Sequence, residues 1–265
     1  MKIMIKLIAS DMDGTLLDDE KRLPRDFFPM LDELYEKNIV FAIASGRTYS
    51  AVEHLFPEAY LGKMSYICDN GACTVLNGKI ANVFPLERDV YEKVISVCEE
   101  TEDFTVIVCA ESGVYHLDLD EDFTKDVTRF YKFHNTVGDF VDIKDTIYKL
   151  AVCDKKGVLC HGKPLLKGVF GDKLNIQASG EFWMDVMAGG VSKGAALRAL
   201  QKTLGVTRAE TMAFGDYFND ADMLMSADYS FCMENGHEDV KKLCRFIAPD
   251  NNSGGVTKCI RKFAL

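Results

Sequence analysis

Two aspartates one residue apart, Asp11 and Asp13, stand in the string Asp11-Met12-Asp13-Gly14-Thr15, directly after the apolar run Ile3 to Ser10. One carboxylate so placed can attack phosphorus as a nucleophile and give an aspartyl phosphate. A second, two residues on, can protonate the leaving oxygen and later deprotonate water. Gly14 lets the chain turn sharply behind them. Chance yields Asp-x-Asp-Gly-Thr in a chain of this length on the order of a few times in a thousand. The plainer alternative is a turn with two solvated aspartates. An EF-hand loop is excluded, because its Gly stands at the sixth position and here Gly is fourth.

Three further segments could complete such a site. Ser45-Gly46-Arg47 offers a hydroxyl and free backbone amides at a helix start, a neutral cradle for a phosphoryl oxygen, although Ser-Gly also opens ordinary loops. Lys193, just after Gly189 and Gly190, would set an ammonium beside the phosphoryl group, while most lysines are only surface residues. Gly215-Asp216-Tyr217-Phe218-Asn219-Asp220 holds a third acidic group. Magnesium takes oxygen ligands from one or two carboxylates plus waters and phosphate, which Asp11 and Asp216 on adjacent strand tips could supply, with Asn219 and Asp220 orienting them. By itself this segment also reads as a helix start favoured by its dipole. If the metal reading holds, Asp11 and Asp216 must lie within a metal's span.

The elements that must position these groups alternate strand and helix. Ile3 to Ser10 and Ile39 to Ala44 read as strands buried on both faces, and Ser65 to Cys68 as a third. A helix runs from near Pro24 through Phe27, Phe28, Leu31 and Leu34 to a stop at Asn38, and a second covers Tyr49 to Phe56. Toward the end, Ser192 caps a helix carrying Ala196, Leu197, Leu200 and Leu204, closed by Gly205. Strands follow at Thr211 to Gly215, Tyr229 to Met233 and Arg245 to Ala248. This rhythm predicts an α/β fold with a Rossmann-like, doubly wound parallel sheet, whose ligands bind outside the carboxyl ends of the strands.

The 122 residues between Asn70 and Lys193 are too many for one loop. They carry strand-like runs at Phe104 to Cys109, Val114 to Leu119, Ile147 to Cys153 and Phe182 to Met187. Helical patterns appear at Asp89 to Glu99, Phe123 to Tyr131 and Val158 to Phe170. We expect a discontinuous core at 1–82 and 189–265 with an inserted α+β domain at 83–188. The acidic stretch Asp118, Asp120, Glu121, Asp122 has Phe123 where an EF-hand needs Gly and reads as a solvated edge.

Composition narrows the function classes. The 265 residues carry 31 Lys and Arg against 41 Asp and Glu, a net charge of −10, which opposes non-specific binding to nucleic acid or an anionic membrane. Nine cysteines, odd in number and without a CxxC pair, read as reduced thiols and a cytoplasmic home. No signal peptide, membrane span, zinc spacing, Walker or dinucleotide motif is present. No protein partner is inferable.

The order Asp-x-Asp-Gly-Thr, Ser-Gly-Arg, Lys and Gly-Asp-x-x-Asn-Asp resembles the haloacid dehalogenase superfamily of phosphotransferases over the whole chain. The insertion after Asp69-Asn70-Gly71-Ala72 is similar to the large cap of its Cof-like, class IIB branch. The resemblance implies Asp11 as nucleophile, Asp13 as acid/base, and Ser45 and Lys193 as phosphoryl ligands. It implies magnesium held by Asp11, the Asp13 carbonyl and Asp216, with Asn219 and Asp220 in support. The wider phosphate-binding set it suggests is Asp11, Gly14, Ser45, Gly46, Arg47, Asn70, Lys193 and Asn219. Tyr217 and Glu234 stand where such proteins commonly have Gly, which bears on substrate size and shape. The expected activity is magnesium-dependent hydrolysis of a small phosphorylated metabolite, a sugar phosphate, with the cap supplying specificity. A sugar phosphomutase uses the same motifs. A phosphoacceptor receiver would not need Asp13 or the insertion.

Overall fold

The computed structural model describes residues 4–119, 121–131 and 134–265; Ile3, the expected start of the first strand, and Asp120 of the acidic stretch lie outside the described residues. The strands in chain order begin with β1 (Leu7–Asp11), β2 (Val40–Ala44), β3 (Met64–Cys68), β4 (Cys73–Leu76) and β5 (Lys79–Val83). The insertion holds β6 (Phe104–Ala110), β7 (Gly113–His116), β8 (Asn135–Thr136), β9 (Ile147–Asp154), β10 (Leu174–Ala178) and β11 (Trp183–Ala188). The chain ends with β12 (Thr211–Gly215), β13 (Tyr229–Met233) and β14 (Phe246–Ala248).

One sheet runs β14-β13-β12-β1-β2-β3-β4-β5. Its strands from β14 to β3 are parallel, and β4 is antiparallel to β3. Every residue of β1, β3 and β12 is buried, as a central parallel strand requires. The helix Lys193–Leu204 presents Ala196, Leu197 and Leu200 to a cluster that includes Leu7, Ala9, Ala42, Ala44 and Ala213. Small alanines on the strands let its backbone come close. Ser192 Oγ accepts from the Ala195 N–H to cap that helix, and Gly205 ends it at φ 64°. The helix Phe27–Glu36 buries Phe27, Met30, Leu31 and Leu34, and Asn38 leaves it at φ 55°. The expected second helix is shorter, Tyr49–Glu53, and a separate turn of helix follows Pro57 at Glu58–Leu61.

From β1 the chain moves outward through β2 and β3 on one side; after the insertion it returns to β12 on the other. The reversal therefore lies between β1 and β12, and their carboxyl ends border the crevice where ligands of such sheets bind.

The chain forms two compact units, one of Met1–Arg47, Leu55–Asn82 and Ser192–Leu265, the other of Thr48–His54 and Val83–Val191. The helix Tyr49–Glu53 groups with the insertion although its sequence position lies among the core elements. The second unit has its own sheet, β10-β11-β9-β6-β7-β8, antiparallel apart from the short β7–β8 pairing. The helices Arg88–Glu99 and Lys163–Phe170 bury Tyr91, Val94, Ile95 and Leu166 in a cluster with Val106, Val108, Leu150, Val152 and Val186. A π-helical turn at Val158–Gly162 precedes the second of these, where one continuous helix was expected. No helix among the described residues is long and apolar enough to cross a membrane.

Candidate active site

The expected residues come together at one end of the core sheet. Asp11 ends β1, Ser45 follows β2, Asn70 follows β3 by two residues, and Asp216 follows β12. The parallel registers Ser10↔Phe214 and Asp11↔Ala44 bring these strand tips level.

Lys193 is the centre of the cluster. It opens the helix Lys193–Leu204, its side chain is fully buried, and its Nζ donates to Asp11 Oδ1 at 2.6 Å and to Asp220 Oδ1 at 2.7 Å. Asp220 is equally buried, and its other oxygen accepts from the backbone N–H groups of Asp216 and Tyr217 at 3.0 and 3.3 Å. Asp220 thus fixes both the ammonium and the turn that presents Asp216. Two glycines make room. A Cβ on Gly215 would lie 2.5 Å from that of Asp220, and one on Gly14, which has φ 80°, would lie 2.6 Å from Asp216 Oδ2. Thr15, absent from the expected set, donates from Oγ1 to Asp216 Oδ1 at 3.3 Å.

Burial pushes the Asp11 carboxyl up to about 8; Asp220 and Asp216 add to the shift, and Lys193 opposes it. Burial likewise pushes Asp216 up to about 6, with Asp220 contributing. For Lys193 burial favours the neutral amine, but the two carboxylates outweigh it and keep the group cationic. Asp11, Asp216 and Asp220 each offer an oxygen, all within 4.8 Å of one another. An all-oxygen donor set with excess negative charge suits a hard divalent cation such as magnesium. Because Lys193 and two amides already occupy Asp220, Asp11 and Asp216 are the carboxylates that would bind it.

Asp13 faces elsewhere. Arg47 grips it with two hydrogen bonds, Nε to Oδ2 at 3.0 Å and Nη2 to Oδ1 at 2.7 Å, and Lys21 Nζ adds a third at 2.8 Å. Burial would raise this carboxyl, but Arg47 and Lys21 hold it below the usual carboxylate range. Arg47, expected at the phosphate, therefore lies on the acid/base candidate. Lys21 was not expected; no local motif marks a lysine eight residues downstream whose backbone turns at φ 62°.

The remaining expected groups line the β2 and β3 tips. Ser45 is buried and accepts from the Arg47 N–H at 3.1 Å. Asn70 is buried, its N–H donates to the Ser45 carbonyl at 3.0 Å, and its amide would lie 3.3 Å from a Cβ on Gly46. Asp69, Asn70 and Gly71 all have positive φ, at 50°, 54° and 106°, a strained segment that sets Asn70 against Ser45 and Gly46. Asn219 is half-buried beside Asp220.

Residues 8–260 match the family model of the haloacid dehalogenase-like hydrolases. The 5-amino-6-(5-phospho-D-ribitylamino)uracil phosphatase of Escherichia coli is 31% identical over 261 residues, covering 97% of this chain and 96% of that one. The crystal structure of SMU.1108c from Streptococcus mutans superposes with a TM-score of 0.89 at 27% identity, covering 98% of each chain. The subclass IIB sugar phosphatase BT4131 shares the fold, with a TM-score of 0.84 at 22% identity over 97% of this chain and 98% of that one. With the family model spanning nearly its full length and a phosphatase at this identity, the chain belongs to the haloacid dehalogenase-like hydrolases, as a phosphoric monoester hydrolase.

Proposed function

We propose that the protein is a magnesium-dependent phosphatase that hydrolyses a small phosphorylated metabolite, a phosphate on a sugar or sugar-alcohol chain, through an aspartyl phosphate on Asp11. The observation that carries this reading is the convergence of Asp11, Asp216 and Asp220 around the buried Lys193. The name of the Escherichia coli relative, which places a phosphate on a ribityl chain, supports the substrate class.

Lys193 orients Asp11 through Oδ1 and leaves Oδ2 to attack phosphorus. As the P–Oδ2 bond forms, the ester P–O bond breaks and the alcohol oxygen takes a proton from Asp13. Asp13 then removes a proton from water, whose oxygen attacks phosphorus, and the P–Oδ2 bond breaks to release phosphate and restore Asp11. A magnesium ion between Asp11 and Asp216 would offset the gathered negative charge and polarise a phosphoryl oxygen. Lys193 and the Ser45 hydroxyl serve the other phosphoryl oxygens, with Gly46 and Asn70 shaping the cradle. Asp13 can act as an acid only after leaving Arg47, and an entering phosphate dianion competes for that guanidinium. Reduced thiols suit a cytoplasmic enzyme.

A panel of phosphomonoesters assayed for phosphate release with and without magnesium tests the reading. Release that needs magnesium and vanishes in Asp11→Asn is the expected result. Isomerised sugar phosphate without free phosphate would turn the assignment to a mutase, and turnover retained by Asp11→Ala would remove Asp11 as nucleophile.

A further inference from the structure

Three rings stand at the edge of the site within the core unit. Tyr217 and Phe218 follow Asp216 directly and remain 49% and 51% exposed. His237 comes from the loop after β13, and its backbone N–H donates to the Asp216 carbonyl at 2.9 Å, tying that loop to the carboxylate cluster. Ring centroids lie 5.2 Å apart for Tyr217 and Phe218, 4.5 Å for Phe218 and His237, and 6.0 Å for Tyr217 and His237.

The arrangement is held in place. Asp220 Oδ2 accepts from both the Asp216 and the Tyr217 N–H, so one carboxylate fixes the backbone of the metal-ligand candidate and of the first ring. His237 Nδ1 accepts from the Asp239 N–H at 3.2 Å, which sets the plane of the imidazole against Phe218. A Cβ on Gly236 would lie 2.9 Å from the Asp216 carbonyl, so the approach of this loop depends on glycine.

We propose that this rim is a subsite for the alcohol part of the ester, and that it takes a phosphomonoester whose alcohol carries a planar heteroaromatic ring, stacked on Tyr217 and Phe218. The inference rests on the phosphatase reading above and narrows its substrate class. Size selects the occupant. Two half-exposed aromatic side chains offer roughly 200 Å², enough for one planar ring, against about 800 Å² per partner for a stable protein interface. Place selects it as well, because the first ring belongs to the residue next to Asp216, about 3.8 Å away from Cα to Cα, within reach of a pentose-sized alcohol. Glu234 is exposed near His237, which disfavours a second anionic group on that ring, while Glu238 and Asp239 are paired with Lys241 and Lys242.

Two matched pairs test the proposal: flavin mononucleotide against ribitol 5-phosphate, and uridine 5′-monophosphate against ribose 5-phosphate. The wild-type protein with magnesium should show kcat/KM at least about tenfold higher for the ring-bearing member. Tyr217→Ala with Phe218→Ala should lower the ring-bearing esters about tenfold, as loss of a stacking ring does, and leave the ring-free esters within about twofold; Tyr217→Phe should keep the preference. An equal loss for both members, or no loss for the ring-bearing ones, overturns the subsite. Release from ring-free esters without any preference overturns it too and leaves the phosphatase reading standing. Absence of release from every ester overturns that reading instead. The rim is then judged by flavin fluorescence quenching in Asp11→Asn: quenching that weakens about tenfold on adding the two alanines supports it, and unchanged quenching overturns it.

Discussion

Gly14 and Asp216 are in contact across 202 residues of sequence: a Cβ at Gly14 would stand 2.6 Å from Asp216 Oδ2, and the glycine holds φ 80°. The turn after the first aspartates thus packs directly on the third, which makes the glycine part of the acidic cluster's geometry. We expect Gly14→Ala to move Asp216, add roughly 1–2 kcal/mol of backbone strain, and raise the magnesium concentration for half-maximal activity about tenfold or more. Magnesium titration of phosphate release checks this; an unchanged requirement would mean that Asp216 does not hold the metal.

Lys193 is the counter-charge to two buried carboxylates. Lys193→Met should abolish turnover and destabilise the fold by about 3 kcal/mol, the low end for removing one partner of a buried pair, because Asp11 already holds a proton at neutral pH. Urea unfolding at neutral pH measures the loss. A variant as stable as the wild type would show that the cluster needs no internal cation.

Asp11 and Asp216 hold protons in the folded state, up to about 8 and about 6, where the unfolded chain has already released them near 3.8. Stability without metal should therefore fall as pH rises from about 4 toward 8. A cation binding the ionised pair competes with those protons, so magnesium should raise Tm more at pH 8 than at pH 6. Thermal melts at the two pH values with and without magnesium check both signs, and a smaller magnesium effect at pH 8 would contradict them.

Arg47 holds Asp13 ionised. Removing it in Arg47→Ala should raise the Asp13 pKa and move the alkaline limb of the kcat/KM profile to higher pH, because more of the acid form survives there. Asp13→Ala should lose roughly 10²- to 10⁴-fold in kcat. A limb that stays in place in Arg47→Ala would assign it to another group.

Part of this protein was legible before any coordinates. The buried runs ending at Ser10, Ala44, Cys68 and Gly215 became neighbouring parallel strands, and Ser192 and Gly205 bound their helix as local capping chemistry requires. The hairpin of β4 and β5 was overlooked, although Asn77-Gly78 at φ 52° and 71° is a strong two-residue turn signal between them. β5 is largely exposed, its Ile80 and Val83 included, and it shows no alternation of buried apolar and polar residues that would mark it as a strand.

Types and spacing along the chain determined which groups could do phosphoryl chemistry, because strand, turn and cap preferences act over a few residues. Which groups meet was decided only by the tertiary structure. Lys193 bridges Asp11 and Asp220 from 182 and 27 residues away, and Arg47 reaches Asp13 across 34. Those pairings depend on strand order and register, which the sheet sets collectively. The shifted carboxyls and the rim of rings follow from the same packing, since burial exists only once the chain has folded.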